Sequence, residues 1–292
     1  MNIITVFQRF PDHEACIEHL EKVRWGNSPA CPSCGSERVG RKADGFRVGR
    51  WNCHKCHASF NVLAGTIFQK TKIDLQKWFL AISIILNAKK SVSSHQLSRD
   101  IDVSQPTAWY MGLRIRRAMT THGDLLSGIV EADEAYIGGK PRKPNQRGGG
   151  DSEAAKRGRG TDKMAVIGAV ERGGRVVAQP MDALDSASIT AFLTGRVDRA
   201  SLLMTDEYPG YRGIAKRMRH ATIEHATRYV DGMVHTNTIE GFWALLKRAW
   251  YGSHHHYTRK HAGAYVAEAC YKYSTRRLPD TFGAFIRQAV AV

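Results

Sequence analysis

Cys31-Pro-Ser-Cys34 and Cys53-His-Lys-Cys56 are two C-x2-C knuckles with eighteen residues between them, the spacing of a four-cysteine zinc site. Each knuckle lets two thiolates reach one ion from a tight turn, and two knuckles complete the tetrahedron that structural zinc prefers. Four protein ligands leave no open coordination position, so this zinc would hold a fold together and take no part in a reaction. The residues between the knuckles alternate like short hairpin strands around Asp44-Gly45, which predicts a zinc ribbon. His54 and His57 read as exposed neighbours, and Cys16 and Cys270 as packing residues.

Three acids could do a different chemistry. Asp133 lies in the apolar run "SGIVEADEAYIGG", Asp206 ends "SLLMTD", and Glu240 sits in "HTNTIEGFWALLKRAW". A buried carboxylate is costly unless it is paired or metal-bound, so three acids from separate elements invite a shared cation. Hard ions such as Mg²⁺ or Mn²⁺ take oxygen ligands and keep positions for water and substrate phosphate. Two of them ~3.5–4 Å apart can activate an attacking oxygen and stabilise a leaving one at phosphorus. Taken singly, each acid reads better as a surface residue or an arginine's partner; taken together with the basic charge and the zinc module, the three read as a site. Glu131, on the same strand face as Asp133, and Glu207, beside Asp206, are competitors that residue chemistry leaves open.

The elements that must position these acids follow from pattern. "SGIVEADEAYIGG", "KMAVIGAVERGG" and "RVVAQPMD" read as three strands, the last two joined at Gly173-Gly174. "SASITAFLTGRV" reads as a helix, "SLLMTDEYPGY" as a strand ending in a turn, and "ATIEHATRY" as a last short strand. This order predicts a mixed α/β sheet with helices on its faces. Glu240 then sits on a helix docked through Ile239, Phe242, Leu246 and Ala249, with Lys247 on its own stripe, about 10 Å further along the axis. Residues 140–163 carry eight Lys/Arg against three acids and few apolar groups, the composition of a mobile basic loop. Consecutive side chains at His254, His255 and His256 do not converge on one ion without special backbone, and they receive no role.

The first half reads as a gripping module. "TKIDLQKWFLAISIILNAKK" is amphipathic, with Leu75, Trp78, Phe79, Ile82, Ile85 and Leu86 on one face. "SSHQLSRDI", a tight "DVS" turn and "QPTAWYMGLRIRRAM" then form a helix-turn-helix pattern with Pro106 in a first turn. Its second helix carries Gln105, Thr107, Tyr110, Arg114 and Arg117 as candidate DNA contacts. A formal charge of +16 and a pI near 9.8 favour a polyanionic partner, nucleic acid before an anionic membrane. The most apolar run, "WFLAISIIL", has about half the ~18 residues of a spanning helix, and the N-terminus lacks a secretory pattern. A cytoplasmic, nucleoid-associated protein is expected. A DNA-binding regulator without catalysis accounts for the ribbon and the helices but leaves the three acids unexplained.

"EADEAYIGG", "TDEYPGY" and "HTNTIEGFWALLKRAWYGSHHHYTRKH", after a C-x2-C pair and a helix-turn-helix, resemble the DDE transposases of bacterial insertion sequences that begin with a zinc ribbon. The resemblance runs over residues 10 to 277. It implies a ribonuclease H-like catalytic domain, a mixed five-stranded sheet with flanking helices, whose triad would be Asp133, Asp206 and Glu240. It chooses Asp133 over Glu131 and Asp206 over Glu207, and it implies Lys247, with Arg248 beside it, as a phosphate contact. The expected domains are 1–68 (zinc ribbon with an N-terminal helix), 69–122 (helix-turn-helix), 127–277 (catalytic) and a tail over 278–292. The implied activity is DNA cleavage at element ends and strand transfer into target DNA, by an oligomer on double-stranded DNA. A nuclease on the same fold would cut and never join.

Overall fold

The computed structural model describes residues 1–42, 48–120, 123–138, 163–223 and 234–291. They fall into two compact units, Met1–Thr120 with Arg276–Val292, and Thr121–Thr275. The Asp44-Gly45 turn, the basic insertion apart from Lys163, and the C-terminal part of "ATIEHATRY" lie outside the described residues.

In the first unit, α1 (Ile3–Arg9) and α2 (His13–Trp25) begin at side-chain caps, Asn2 accepting from Thr5 N and Asp12 from Ala15 N. Such caps satisfy backbone donors that have no partner inside a helix. The ribbon follows as an antiparallel sheet of β1 (Val39–Arg41), β2 (Arg50–Cys53) and β3 (Ser59–Asn61). Glu21 of α2 ties the ribbon down: its carboxylate accepts from Trp51 Nε1 at 2.8 Å and pairs with Arg41.

The four knuckle cysteines converge as their spacing predicts. Cys31 Sγ lies 3.7 Å from Cys56 Sγ, and Cys34 Sγ 3.6 Å from Cys53 Sγ, close to the ~3.8 Å edge of a tetrahedron with Zn–S bonds of ~2.3 Å. The backbone N–H groups of Cys56 and Lys55 point at Cys53 Sγ, each at 3.4 Å, and help to lower its pKa to about 6. N–H groups aimed at a sulfur favour its thiolate, the form that ligates a metal.

Three helices complete this unit's first segment: α3 (Leu75–Asn87), α4 (Ser94–Asp100) and α5 (Gln105–Ala118). Ser93 caps α4, and the turn into α5 passes through Asp102 at φ 49°, giving the expected helix–turn–helix outline. Leu75, Trp78, Phe79, Ile82 and Ile85 of α3 are buried as the periodicity requires. One expectation is corrected here. Residues 281–290, read as part of a tail, form α9 (Thr281–Val290), whose Phe282, Phe285, Ile286 and Ala289 are buried. Phe282 lies with its ring centroid 5.6 Å from Phe79 and 6.2 Å from Phe10.

The second unit is built on a five-stranded mixed sheet of order β6-β5-β4-β7-β8. β4 (Ile129–Ile137), β5 (Met164–Glu171) and β6 (Val176–Met181) are antiparallel neighbours, while β7 (Leu202–Asp206) and β8 (Arg219–Ile223) run parallel to β4. Helix α6 (Ser186–Arg196) covers one face through Ile189, Phe192 and Leu193. Helices α7 (Asn237–Ala249) and α8 (Arg259–Thr275) cover the other, where Ile239, Phe242, Leu246 and Val266 meet Ala135, Val166 and Val170. With both faces covered, the central strands are apolar nearly throughout, so each acid in them stands out.

Replacing Cys53 with Ser should abolish stoichiometric zinc binding and expose residues 31–61 to protease, while the sheet of the second unit stays folded. Zinc content and limited proteolysis with mass mapping check both halves.

Candidate active site

The ladder between β4 and β7 aligns Ile129 with Leu202 and Glu131 with Met204. Two residues further on, Asp133 and Asp206 reach the same level on neighbouring strands. Asp133, Glu134 and Asp206 each offer a carboxylate oxygen, all within 4.8 Å of one another. Among the described residues, this cluster and the four cysteines are the groups able to hold a metal ion.

Each acid has a defined support. Trp243 Nε1 of α7 donates to Asp133 Oδ2 at 3.0 Å. The backbone N–H of Tyr208 donates to Asp206 Oδ1 at 3.1 Å, and the buried Tyr211 hydroxyl to Glu134 Oε2 at 2.9 Å. Gly168, paired with Asp133 across β4–β5, makes room for the indole: a Cβ there would lie 2.7 Å from Trp243. Burial raises the Asp133 pKa to about 7, and the charges of Glu134 and Asp206 push the same way. Burial, then the Glu134 charge, raises Tyr211 well above the usual tyrosine value, so its phenol remains a neutral donor.

Of the three acids expected from the sequence, Asp133 and Asp206 are brought together, and Glu240 is outside the 4.8 Å cluster. It lies exposed on the first turn of α7, with Thr236 Oγ1 donating to its Oε1 at 3.4 Å. Glu240 precedes Trp243 by three residues, so both lie on neighbouring positions of one helix stripe. Glu134 was not foreseen. Strand alternation points it to the opposite face from Asp133, but the β4–β7 ladder is recorded only as far as Glu131–Met204, and beyond it the side chain joins the cluster. Its direct adjacency to Asp133 was the available signal. Glu131 is fully buried and accepts from Thr238 N at 2.8 Å and Ile239 N at 3.1 Å, which makes it a structural anion.

Lys247 and Arg248 are exposed on the last turn of α7. On α5, Tyr110 is 52% exposed and Arg117 is exposed. Gln105 Nε2 donates to Ser94 Oγ at 2.8 Å, and Thr107 Oγ1 shares a hydrogen bond with Ser104 Oγ. Arg114 is held by the carbonyls of Gln69 at 3.0 Å and Thr66 at 3.3 Å. His254 and His256 pack against aromatic rings, His254 at 4.6 Å from Tyr265 and His256 at 5.9 Å from Trp250.

Comparison with known proteins matches an ISXO2-like transposase domain to residues 125–274 and a transposase zinc-ribbon domain to residues 11–59. The chain belongs to the ISXO2-like transposase family. It is a DDE transposase with an N-terminal zinc ribbon and a mixed five-stranded sheet. A relative from Halobacterium salinarum, described as an uncharacterized protein in transposable element ISH50, is 33% identical over 246 residues, 80% of this chain and 82% of its own length. That relative is archaeal, so family membership does not place this transposase in a bacterium, as the sequence had suggested. Among solved structures, the Mos1 strand transfer complex is similar at 11% identity and TM-score 0.30, covering 73% of this chain and 75% of that one. A simian T-cell lymphotropic virus intasome is similar at 16% identity and TM-score 0.29, and the transposase spans 61% of that chain, with 61% of its own covered. Among the described residues, no helix is long and apolar enough to cross a membrane.

The raised Asp133 pKa has a definite sign in stability. Below the unfolded value both states hold the proton; between about 4 and about 7 only the folded state keeps it, so stability falls as pH rises through that window. Asp133→Asn should therefore melt higher than the metal-free parent at pH 8, by about 2–4 °C for each kcal/mol of charge burial and repulsion relieved. The gap should narrow as pH falls from 7 to 4, which thermal melts in chelator across that range would check.

Proposed function

We propose that this transposase cuts DNA at the ends of its element and joins the freed 3′ end to target DNA, using Mg²⁺ or Mn²⁺ held by Asp133, Asp206 and Glu240. The observation that carries this reading is the pairing of Asp133 with Asp206 at one level of the sheet, inside the matched transposase domain. The donor set fits such ions: all its ligand atoms are carboxylate oxygens, which suit hard divalent cations, whereas the four thiolates of the ribbon suit zinc. When bound, the cations would supply Lewis-acid stabilisation of the charge that builds at a phosphodiester undergoing in-line displacement.

The protein's own residues orient that chemistry. Trp243 and Tyr208 fix the oxygens of Asp133 and Asp206 that they meet. Lys247 and Arg248 provide exposed positive charge on the helix that carries Glu240, suited to a DNA phosphate. Cutting and joining are both displacements at phosphorus, so one site serves water in the first step and a 3′-hydroxyl in the second. The net charge of +16 favours double-stranded DNA as partner. Helix α5 reads the element ends through Tyr110 and Arg117, which are exposed, and through Gln105, Thr107 and Arg114 once they exchange their internal partners. The active form is an oligomer assembled on paired ends.

In a cation-dependent assay on oligonucleotides bearing element ends, Asp133→Asn or Asp206→Asn should lower strand transfer by at least about a hundredfold and leave end binding intact. Cleaved but unjoined product from the parent protein would favour a nuclease and sink the transfer step. Arg117→Ala should weaken end binding and reduce the slope of log affinity against log salt by about 1, measured by fluorescence anisotropy at several salt concentrations.

A further inference from the structure

The buried carboxylate of Glu131 gathers more donors than any pairing role needs. Its Oε2 accepts from the backbone N–H groups of Thr238 and Ile239, at 2.8 and 3.1 Å. Its Oε1 accepts from Thr238 Oγ1 at 2.8 Å and from Arg172 Nε at 2.6 Å. Arg172 also donates through Nη2 to the His235 carbonyl at 3.0 Å, which anchors the chain just before α7.

The first N–H groups of a helix have no partner within it, and negative charge is favoured there. Thr236, the residue at the start of α7, makes no side-chain cap. Glu131 does that work from another element, as a cap delivered by β4. A second link joins the same pair of elements two residues further along β4, where Asp133 meets Trp243. Glu131 and Asp133 lie on one face of the strand, so α7 is pinned there at two points. Glu240 lies between the pinned residues, after Ile239 and before Trp243.

We infer that Glu131 is a positioning residue, which fixes the depth and roll of α7 and thereby sets where the Glu240 carboxylate stands relative to Asp133 and Asp206. This rests on the reading of Glu240 as the third acid of the site. Glu131 takes no cation itself, because both its oxygens are occupied by donors. Its isosteric amide would turn an N–H group toward Arg172 or toward the helix N–H groups, loosening one pin and leaving Asp133 and Asp206 in place.

The test uses the full-length, zinc-loaded chain and reads Mn²⁺ binding without DNA, by electron paramagnetic resonance of free Mn²⁺. Glu131→Gln should weaken Mn²⁺ binding by about 10–100-fold, the usual cost of losing a residue that orients a ligand. Glu240→Ala should weaken it too, and adding Glu131→Gln to Glu240→Ala should bring no further loss. Parent-like Mn²⁺ affinity in Glu131→Gln, or an undiminished loss in the Glu240→Ala background, overturns the positioning role. If Glu131→Gln does not fold, Thr238→Val carries the same test with a smaller shift, since it removes one donor and leaves the charge paired. Unchanged affinity in Glu240→Ala would sink the third-acid reading and the role built on it, whereas a weakened Glu240→Ala beside a parent-like Glu131→Gln sinks the positioning role alone.

Discussion

Two like charges held at one level of a parallel pair of strands are the constraint around which the second unit is arranged. Neighbouring strands lie about 4.8 Å apart, so Asp133 and Asp206 cannot separate without breaking the sheet that both β4 and β7 belong to. Glu134 adds a third negative group to the same space. The indole of Trp243 and the phenol of Tyr211 orient two of these acids without neutralising them. Arg172, a cation within reach of this face of the sheet, is engaged by Glu131. Burial, and after it the charges of Glu134 and Asp206, raise the Asp133 pKa to about 7.

The two groups among the described residues that could hold a metal ion follow opposite logics. The cysteines form a closed, soft set whose four sulfurs already sit at tetrahedral separations, so the ion would complete a small fold that has little apolar core of its own. Its buried members, Cys31, Cys53 and Phe60, form a cluster of three. The acids form an open, hard set attached to a large sheet whose core is complete without any ion. Removing the metal should therefore cost the ribbon its order and leave the sheet standing, since only in the ribbon does coordination substitute for packing.

Much of this was legible in the sequence because it rests on local pattern. The knuckles announce themselves by spacing, α3 by its apolar stripe, and the central strands by the apolar residues around Asp133 and before Asp206. The docking stripe of α7, Ile239, Phe242, Leu246 and Ala249, is buried as its periodicity requires. Illegible parts depend on tertiary meeting. Nothing in "EADEAY" says that Glu131 will face the start of a helix more than a hundred positions away, or that Glu134 will join Asp133. The missed α9 is a different case: Phe282, Phe285, Ile286 and Ala289 stand at i, i+3, i+4 and i+7, a helical signal present in the text and obscured by its place after an apparent domain end.

Helix α9 closes a core whose other members precede it in the chain. The second unit is contiguous, Thr121–Thr275, whereas the first is assembled from segments on either side of it. At ~5–20 residues per second, the residues of α9 leave the ribosome on the order of ten seconds or more after those of α5. The nascent chain can therefore finish its sheet while Phe10 and Phe79 still lack the ring of Phe282. A chain not yet extended through α9 would hold every residue of the acid cluster while the core of the ribbon-bearing unit still lacked the rings of Phe282 and Phe285.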